Sequence, residues 1–270
     1  REFFRKGDLI LLSLCLAASG FGMMLIFSAT RWEHNNKALL VQFVGICLGV
    51  MAYVLLTFVD VQLFTEKNWK FLLGASVVLL LLLLTPLGLS IYGNRNWLAL
   101  SKIIPGFPMN LQPNEIDKLP YILLLSLLIT KIQDRGHDIS AIPNVVQIGG
   151  FTVFILALIA VICGDMGTCV VYMIVFMTVA WTAGVKKRWF ILVGGGLIAA
   201  ALILWFFVLP KTSLWDSNYI IMRFRVVLDH SLDPQDKGFQ QSRSILAIGS
   251  GQLFGQGFLH GLQTQAGYSS

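Results

Sequence analysis

Six uninterrupted apolar runs, near 8–30, 38–59, 70–91, 147–164, 167–184 and 189–209, constrain this chain more than any other feature. Each is about 20 residues long, enough for an α-helix to cross a hydrocarbon core of about 30 Å. Lipid offers no water to pair a bare N–H or C=O, so a spanning segment must close its own hydrogen bonds and be helical. A seventh segment, near 113–131, is purely apolar only from Tyr121 to Thr130 and carries Glu115, Asp117 and Lys118 in its first two turns. The expectation is an all-α, polytopic transmembrane helix bundle of about seven spans, built as a single domain over 1–270. The composition agrees, because 56% hydrophobic and only 13% charged residues lie far from an ordinary soluble domain. The run that begins at Asp8 has no small-residue cleavage pattern after it and reads as a retained first helix.

The net charge of +6 invites a nucleic-acid reading. The basic residues, however, lie between apolar spans, with no stripe interleaved with aromatics, so no nucleic-acid partner is expected. They report topology instead. With the N-terminus inside, the cytoplasmic segments hold Arg1, Arg5, Lys6, Lys67, Lys70, Lys131, Arg135, Lys186, Lys187 and Arg188, against Arg31, Lys37, Arg95 and Lys102 outside. This asymmetry favours a cytoplasmic N-terminus. Val185-Lys186-Lys187-Arg188 is the strongest anchor and needs no chemistry. Cys15, Cys47, Cys163 and Cys169 lack metal or redox spacing and read as small buried hydrophobes. The four histidines are scattered, and Gly194-Gly195-Gly196 reads as a site of close helix packing.

Two connections, 92–112 and 210–246, are too long to be mere links, and both fall on the outer side in this topology. The first ends in Gln112-Pro113-Asn114-Glu115-Ile116-Asp117-Lys118, where Pro113 suits the first position of a helix. Glu115 and Lys118 then share a face, either as an interfacial ion pair or as a working pair turned toward a polar cavity. In Gly164-Asp165-Met166-Gly167-Thr168, a helix cap and a part in shaping the site are both open to Asp165. The second connection holds Arg223, Arg225, Asp229 and Asp233-Pro234. A carboxylate beside guanidinium groups outside a membrane suits a general base acting on a phosphate-bearing substrate, although Asp-Pro is also an ordinary turn. A glycine-rich stretch, Gly249 to Gly257, follows and permits tight turns at the membrane edge.

Taken together, these segments resemble the SEDS glycosyltransferases typified by RodA, FtsW and SpoVE. Gly93-Asn94-Arg95-Asn96-Trp97-Leu98 is similar to an outer-loop GxRxW pattern of that family, and Leu111-Gln112-Pro113-Asn114-Glu115-Ile116-Asp117-Lys118 to its FQPSExxK helix start. Gly164 to Thr168 is similar to its PDxGT turn, and Asp233-Pro234, Gly238-Phe239-Gln240 and Ala247-Ile248-Gly249-Ser250-Gly251 to DPxGxGYQ and AIGSGG. Departures include Asp117 at a normally apolar or small position, Gly164 in place of proline, Gln235-Asp236-Lys237 before Gly238, and Arg243. Gly261 to Gln265 is closer to the RodA branch. The family pattern continues past Ser270 to a total of about ten spans, so the chain reads as C-terminally incomplete.

The resemblance implies polymerisation of lipid II into peptidoglycan glycan strands at the outer face of the bacterial cytoplasmic membrane. It implies Asp233 as catalytic base, with Lys118 and Glu115 beside it, Arg223 or Arg225 on the pyrophosphate, and Arg95, Asp165 and Gln112 among the substrate-binding residues. No cofactor is required outright; a divalent cation, Mg or Mn, is the one candidate. The implied partners are lipid II and a class B penicillin-binding protein. Two rival readings are a lipid-linked precursor flippase and a noncatalytic scaffold for a transpeptidase.

Overall fold

The computed structural model describes residues 7–30, 37–91, 94–105, 110–211, 237–257 and 259–261. In chain order the elements are α1 (Leu9–Thr30), α2 (Lys37–Thr57), α3 (Val61–Leu81), β1 (Gly88–Ile91), β2 (Asn94–Leu98), α4 (Pro113–Asp134), α5 (Ile142–Cys163), α6 (Met166–Thr182), α7 (Lys187–Ile203) and α8 (Lys237–Gly251). Five stretches, Leu9–Thr30, Lys37–Thr57, Val61–Leu84, Ile142–Cys163 and Lys187–Val208, are helical, long and apolar enough to cross a membrane. α6 is equally apolar but only 17 residues long, and α4, of 22 residues, carries Glu115, Asp117 and Lys118 near its start and Lys131 and Asp134 near its end. The protein is therefore an all-α, multi-pass membrane protein, with one two-stranded hairpin among its described residues.

The chain divides into two compact units, 1–54 with 196–270, and 55–195. In the first, Asp8 starts α1 by accepting from the Leu11 N–H at 2.9 Å, and the Tyr53 hydroxyl of α2 donates to the Asp8 carbonyl at 2.8 Å. Cys15 and Cys47 are exposed on these helices, whereas Cys163 is buried. The expectation of four buried thiols therefore fails for the first two, because a helix in hydrocarbon can turn any apolar side chain outward. The polar loop expected through residue 246 ends earlier, since α8 already begins at Lys237; residues 212–236 lie outside the described set. The glycine-rich stretch turns after α8, with positive φ at Gln252, Gly255, Gly257 and Leu259.

The second unit corrects one span. The apolar run at 70–91 predicts a helix over that range, but α3 starts nine residues earlier, at Val61, and a 3₁₀ turn ends it at Leu84. Asp60 caps it by accepting from the Leu63 N–H at 3.0 Å, and Asn68 leaves helical geometry at φ −114°. Thr85 is extended, as the residue before a proline tends to be. β1 then runs antiparallel to β2, with Gly88 opposite Leu98 and Leu89 opposite Trp97. Gly88 is required here, because a Cβ would collide with the Leu83 carbonyl oxygen. We expect Gly88→Ala to lower stability by about 2 kcal/mol or more, read as a fall in the thermal midpoint in detergent.

Packing in this unit centres on Leu80, Leu83, Tyr121, Leu125, Ile148, Ile155, Ile159 and Tyr172. Tyr121 of α4 stacks on Phe151 of α5 at 5.8 Å and leans on Tyr172 of α6 at 4.9 Å, and its hydroxyl lies 3.1 Å from the Thr152 hydroxyl. The expected packing at Gly194, Gly195 and Gly196 is not seen, since among the described residues nothing lies within 4 Å of a Cβ added there. At the far end of α4 the connections are stapled. Lys186 donates to Asp138 at 2.6 Å and through its N–H to the Ser140 hydroxyl at 2.9 Å, and the Trp189 indole donates to the Ser140 carbonyl at 3.0 Å. The Lys186 ammonium and the Ser140 N–H hold the Asp138 carboxyl below its ordinary value.

Candidate active site

The start of α4, the end of α5 and the start of α6 meet at one end of the second unit, beside the hairpin. The chain enters α4 from a clamped position. Leu98 of β2 and Leu111 exchange backbone hydrogen bonds of 2.7 and 3.0 Å, and Gln112 and Pro113 follow directly. Gln112 is the N-cap by position, but its side chain makes no capping bond; its carbonyl accepts from the Glu115 N–H at 3.1 Å. Pro113 occupies the first turn, where a missing N–H costs nothing.

From the first two turns Glu115 and Lys118 project together. The Lys118 ammonium donates to Glu115 at 2.6 Å, with side chains 23% and 55% exposed respectively. The more enclosed partner is thus the cation, which sits at the edge between the packed and open faces of α4. Its three N–H donors leave capacity for a second anionic contact beyond Glu115.

Asp165 has a definite structural post. It is the N-cap of α6, accepting from the Thr168 N–H at 3.1 Å and the Thr168 hydroxyl at 2.9 Å. It also accepts from the Asn96 side chain at 2.8 Å, tying the hairpin to α6. Gly164, just before it, ends α5 in the left-handed region at φ +66°, where glycine is free of strain. We expect Asp165→Ala to cost about 2 kcal/mol, a lost cap plus an amide left without its acceptor. Thermal unfolding would report it, and Asp165→Asn should recover part of the loss.

Arg95 lies exposed on β2, on the opposite face from buried Asn96. It is near the site in sequence and fold but touches neither Glu115 nor Lys118 in any recorded hydrogen bond or ion pair among the described residues. Asp233, Arg223 and Arg225 lie outside the described residues. Among the described residues no group of three or more His, Cys, Asp or Glu side chains is placed to hold a metal ion. The described part of the site therefore does not supply a divalent-cation site on its own.

Sequence reasoning singled out Asp117 only as an ionisable residue in the span and a departure from the family pattern, and missed the roles of Asn114 and Tyr172 behind the pair. Asn114 and Asp117 are fully buried, as is the hydroxyl of Tyr172, which donates to the Asn114 carbonyl at 2.9 Å. Asn114 Oδ1 accepts from the Cys163 thiol at 3.2 Å, and Asp117 accepts from the Ser76 hydroxyl. The ionisable Asp117 within a span was the only signal of this cluster; its partners come from three other helices.

Residues 8–269 match the model of a family of cell cycle proteins typified by FtsW, RodA and SpoVE. The chain is 29% identical over 95% of its length to a probable peptidoglycan glycosyltransferase FtsW of Trichlorobacter lovleyi, of which it covers 64%. Similar relatives of the same description occur in a Geobacter species, at 28% identity and 66% coverage, and in Nitrosococcus halophilus, at 28% and 63%. The chain thus spans just under two thirds of the length of these relatives. It also resembles a chain from a solved peptidoglycan synthase complex that coordinates polymerisation and crosslinking. The TM-score is 0.66 at 26% identity, covering 96% of this chain and 70% of that one.

Proposed function

Since the chain belongs to the FtsW, RodA and SpoVE family, we propose that it forms the larger part of a peptidoglycan glycosyltransferase that polymerises lipid II at the outer face of the cytoplasmic membrane. The observation that carries this reading is the Lys118–Glu115 pair, at 2.6 Å, on the first two turns of a helix whose continuation is apolar. Ionisable groups in such a position serve a polar cavity or its mouth rather than lipid. The charge asymmetry of the connections supports a mouth on the outer side.

In this reading the 4-hydroxyl oxygen of the acceptor lipid II forms a bond to the anomeric carbon of the donor glycan. The bond from that carbon to the carrier pyrophosphate breaks, and its electron pair leaves with the pyrophosphate. Asp233 takes the hydroxyl proton, as a general base must, within hydrogen-bond reach of the acceptor. Lys118 holds Asp233 ionised, and Glu115 orients Lys118. Arg223 or Arg225 meets the negative charge on the departing pyrophosphate, for which a planar guanidinium is suited. The protein works beside a class B penicillin-binding protein, which crosslinks the strands. The description of the solved relative as part of a synthase complex supports that pairing.

Purified full-length protein, incubated with labelled lipid II alone and with a class B penicillin-binding protein, tests this directly. Glycan ladders on a gel are the expected product. Translocation of lipid II across proteoliposomes without any ladder would replace the polymerase by a flippase. Absence of both activities would leave a scaffold.

A further inference from the structure

Each member of the Glu115–Lys118 pair is preceded by a fully buried polar residue, Asn114 and Asp117, and these two bury themselves in a membrane protein's interior at a cost that a leucine would avoid. We propose that Asn114 and Asp117 are positioning residues, a polar clasp that fixes the rotation of α4 about its own axis and so aims Glu115 and Lys118 out of the bundle.

The geometry of the contacts supports a directional role. Three neighbouring helices each give one donor to the opening turns of α4. The Ser76 hydroxyl of α3 reaches Asp117, the Cys163 thiol of α5 reaches the Asn114 side chain at 3.2 Å, and the Tyr172 hydroxyl of α6 reaches the Asn114 carbonyl at 2.9 Å. Apolar contacts are non-directional and tolerate a rotated helix, whereas hydrogen bonds from three sides do not. The margin is small in angle, because one residue along a helix is about 100° of rotation. A shift of one residue would carry Glu115 from the open face into the position Asn114 holds. Buried polar groups are best attested as devices that select one register among apolar alternatives. Here Asn114 Nδ2 has no protein partner among the described residues, and Asp117 Oδ2 makes no well-aligned hydrogen bond, although the Tyr172 hydroxyl lies beside the Asp117 carboxyl. Tightest packing is therefore not what these side chains supply. They lie three residues apart on one face, where a donor and an acceptor can share a bridging group.

The kinetic part of the test rests on the glycosyltransferase reading; the labelling part does not. In the full-length protein, a cysteine placed at Glu115 (Glu115→Cys) is labelled in proteoliposomes by a membrane-impermeant maleimide, alone and combined with Asp117→Leu or Asp117→Asn. Asp117→Leu is expected to change the labelling rate at least about 3-fold. With Glu115 intact it is expected to lower kcat about 10-fold with KM within about 2-fold, since misplacement of a reacting group falls on kcat. Asp117→Asn keeps an acceptor for Ser76 and should stay within about 2-fold of the parent in both measurements. If Asp117→Leu does not fold, Ser76→Ala removes the same bond more gently and should shift labelling about 2-fold in the same direction. A folded Asp117→Leu with unchanged labelling overturns the proposal, as does Asp117→Asn behaving like the leucine variant. Changed labelling in a protein that makes no polymer in any form would instead remove the glycosyltransferase reading and leave the clasp standing.

Discussion

Asp233→Ala should abolish glycan ladders in a lipid II polymerisation assay, with the initial rate down by at least about 100-fold, while the thermal midpoint stays within about 2 °C of the parent. The expectation follows from the proposed role, because an acceptor hydroxyl attacks poorly unless a base removes its proton as the new bond forms. Asp233→Asn should fail almost as completely. It keeps the shape and one acceptor oxygen but has no basic lone pair strong enough for the proton, so failure of both variants separates loss of a base from loss of a contact. Full-length ladders from either variant would take Asp233 out of the chemistry.

Lys118→Ala should lower the same rate by about 100-fold, because Asp233 would lose the cation proposed to hold it ionised and in place, and a misplaced catalytic group can cost that much. Its fold should survive. An exposed or half-exposed ion pair at this spacing contributes roughly 0–1 kcal/mol, and the 23% and 55% exposures of Lys118 and Glu115 place them in that class. A large fall in rate with an unchanged thermal midpoint therefore cannot be a folding effect. Lys118→Arg should recover only part of the rate, because a planar fork cannot replace a compact ammonium that must meet Glu115 and a second anion together. If Lys118→Ala retains more than half of the parent rate, the pair is an interfacial ornament and the site must be centred elsewhere.

The membrane helices were legible in the sequence because hydrocarbon imposes a length and a polarity on each. The hairpin was not, for an instructive reason. Gly88-Leu89-Ser90-Ile91 continues the apolar run of α3 without a change in composition, and only Thr85-Pro86 marks the point where helix gives way to strand. The early start of α3 was hidden by Glu66, Lys67 and Asn68, which look like a loop but form the first turns of a helix that bends at Asn68. At the site, adjacent residues were readable and distant ones were not. Glu115 and Lys118 follow from helical spacing, whereas Ser76, Cys163 and Tyr172 converge on α4 only through the packing of α3, α5 and α6. Asp165 shows the limit of motif reading. Its resemblance to a family turn marks it for the site, while its oxygens are taken by Thr168 and Asn96.

The mutual hydrogen bonds between Leu98 and Leu111 make the intervening stretch, 99–110, an excursion that leaves and returns at one place. Its length is thereby uncoupled from the placement of α4. Adding residues to such a loop costs little, about 0.6 kcal/mol for each doubling. A change in the length of this stretch can accordingly leave Gln112, Glu115 and Lys118 at their address.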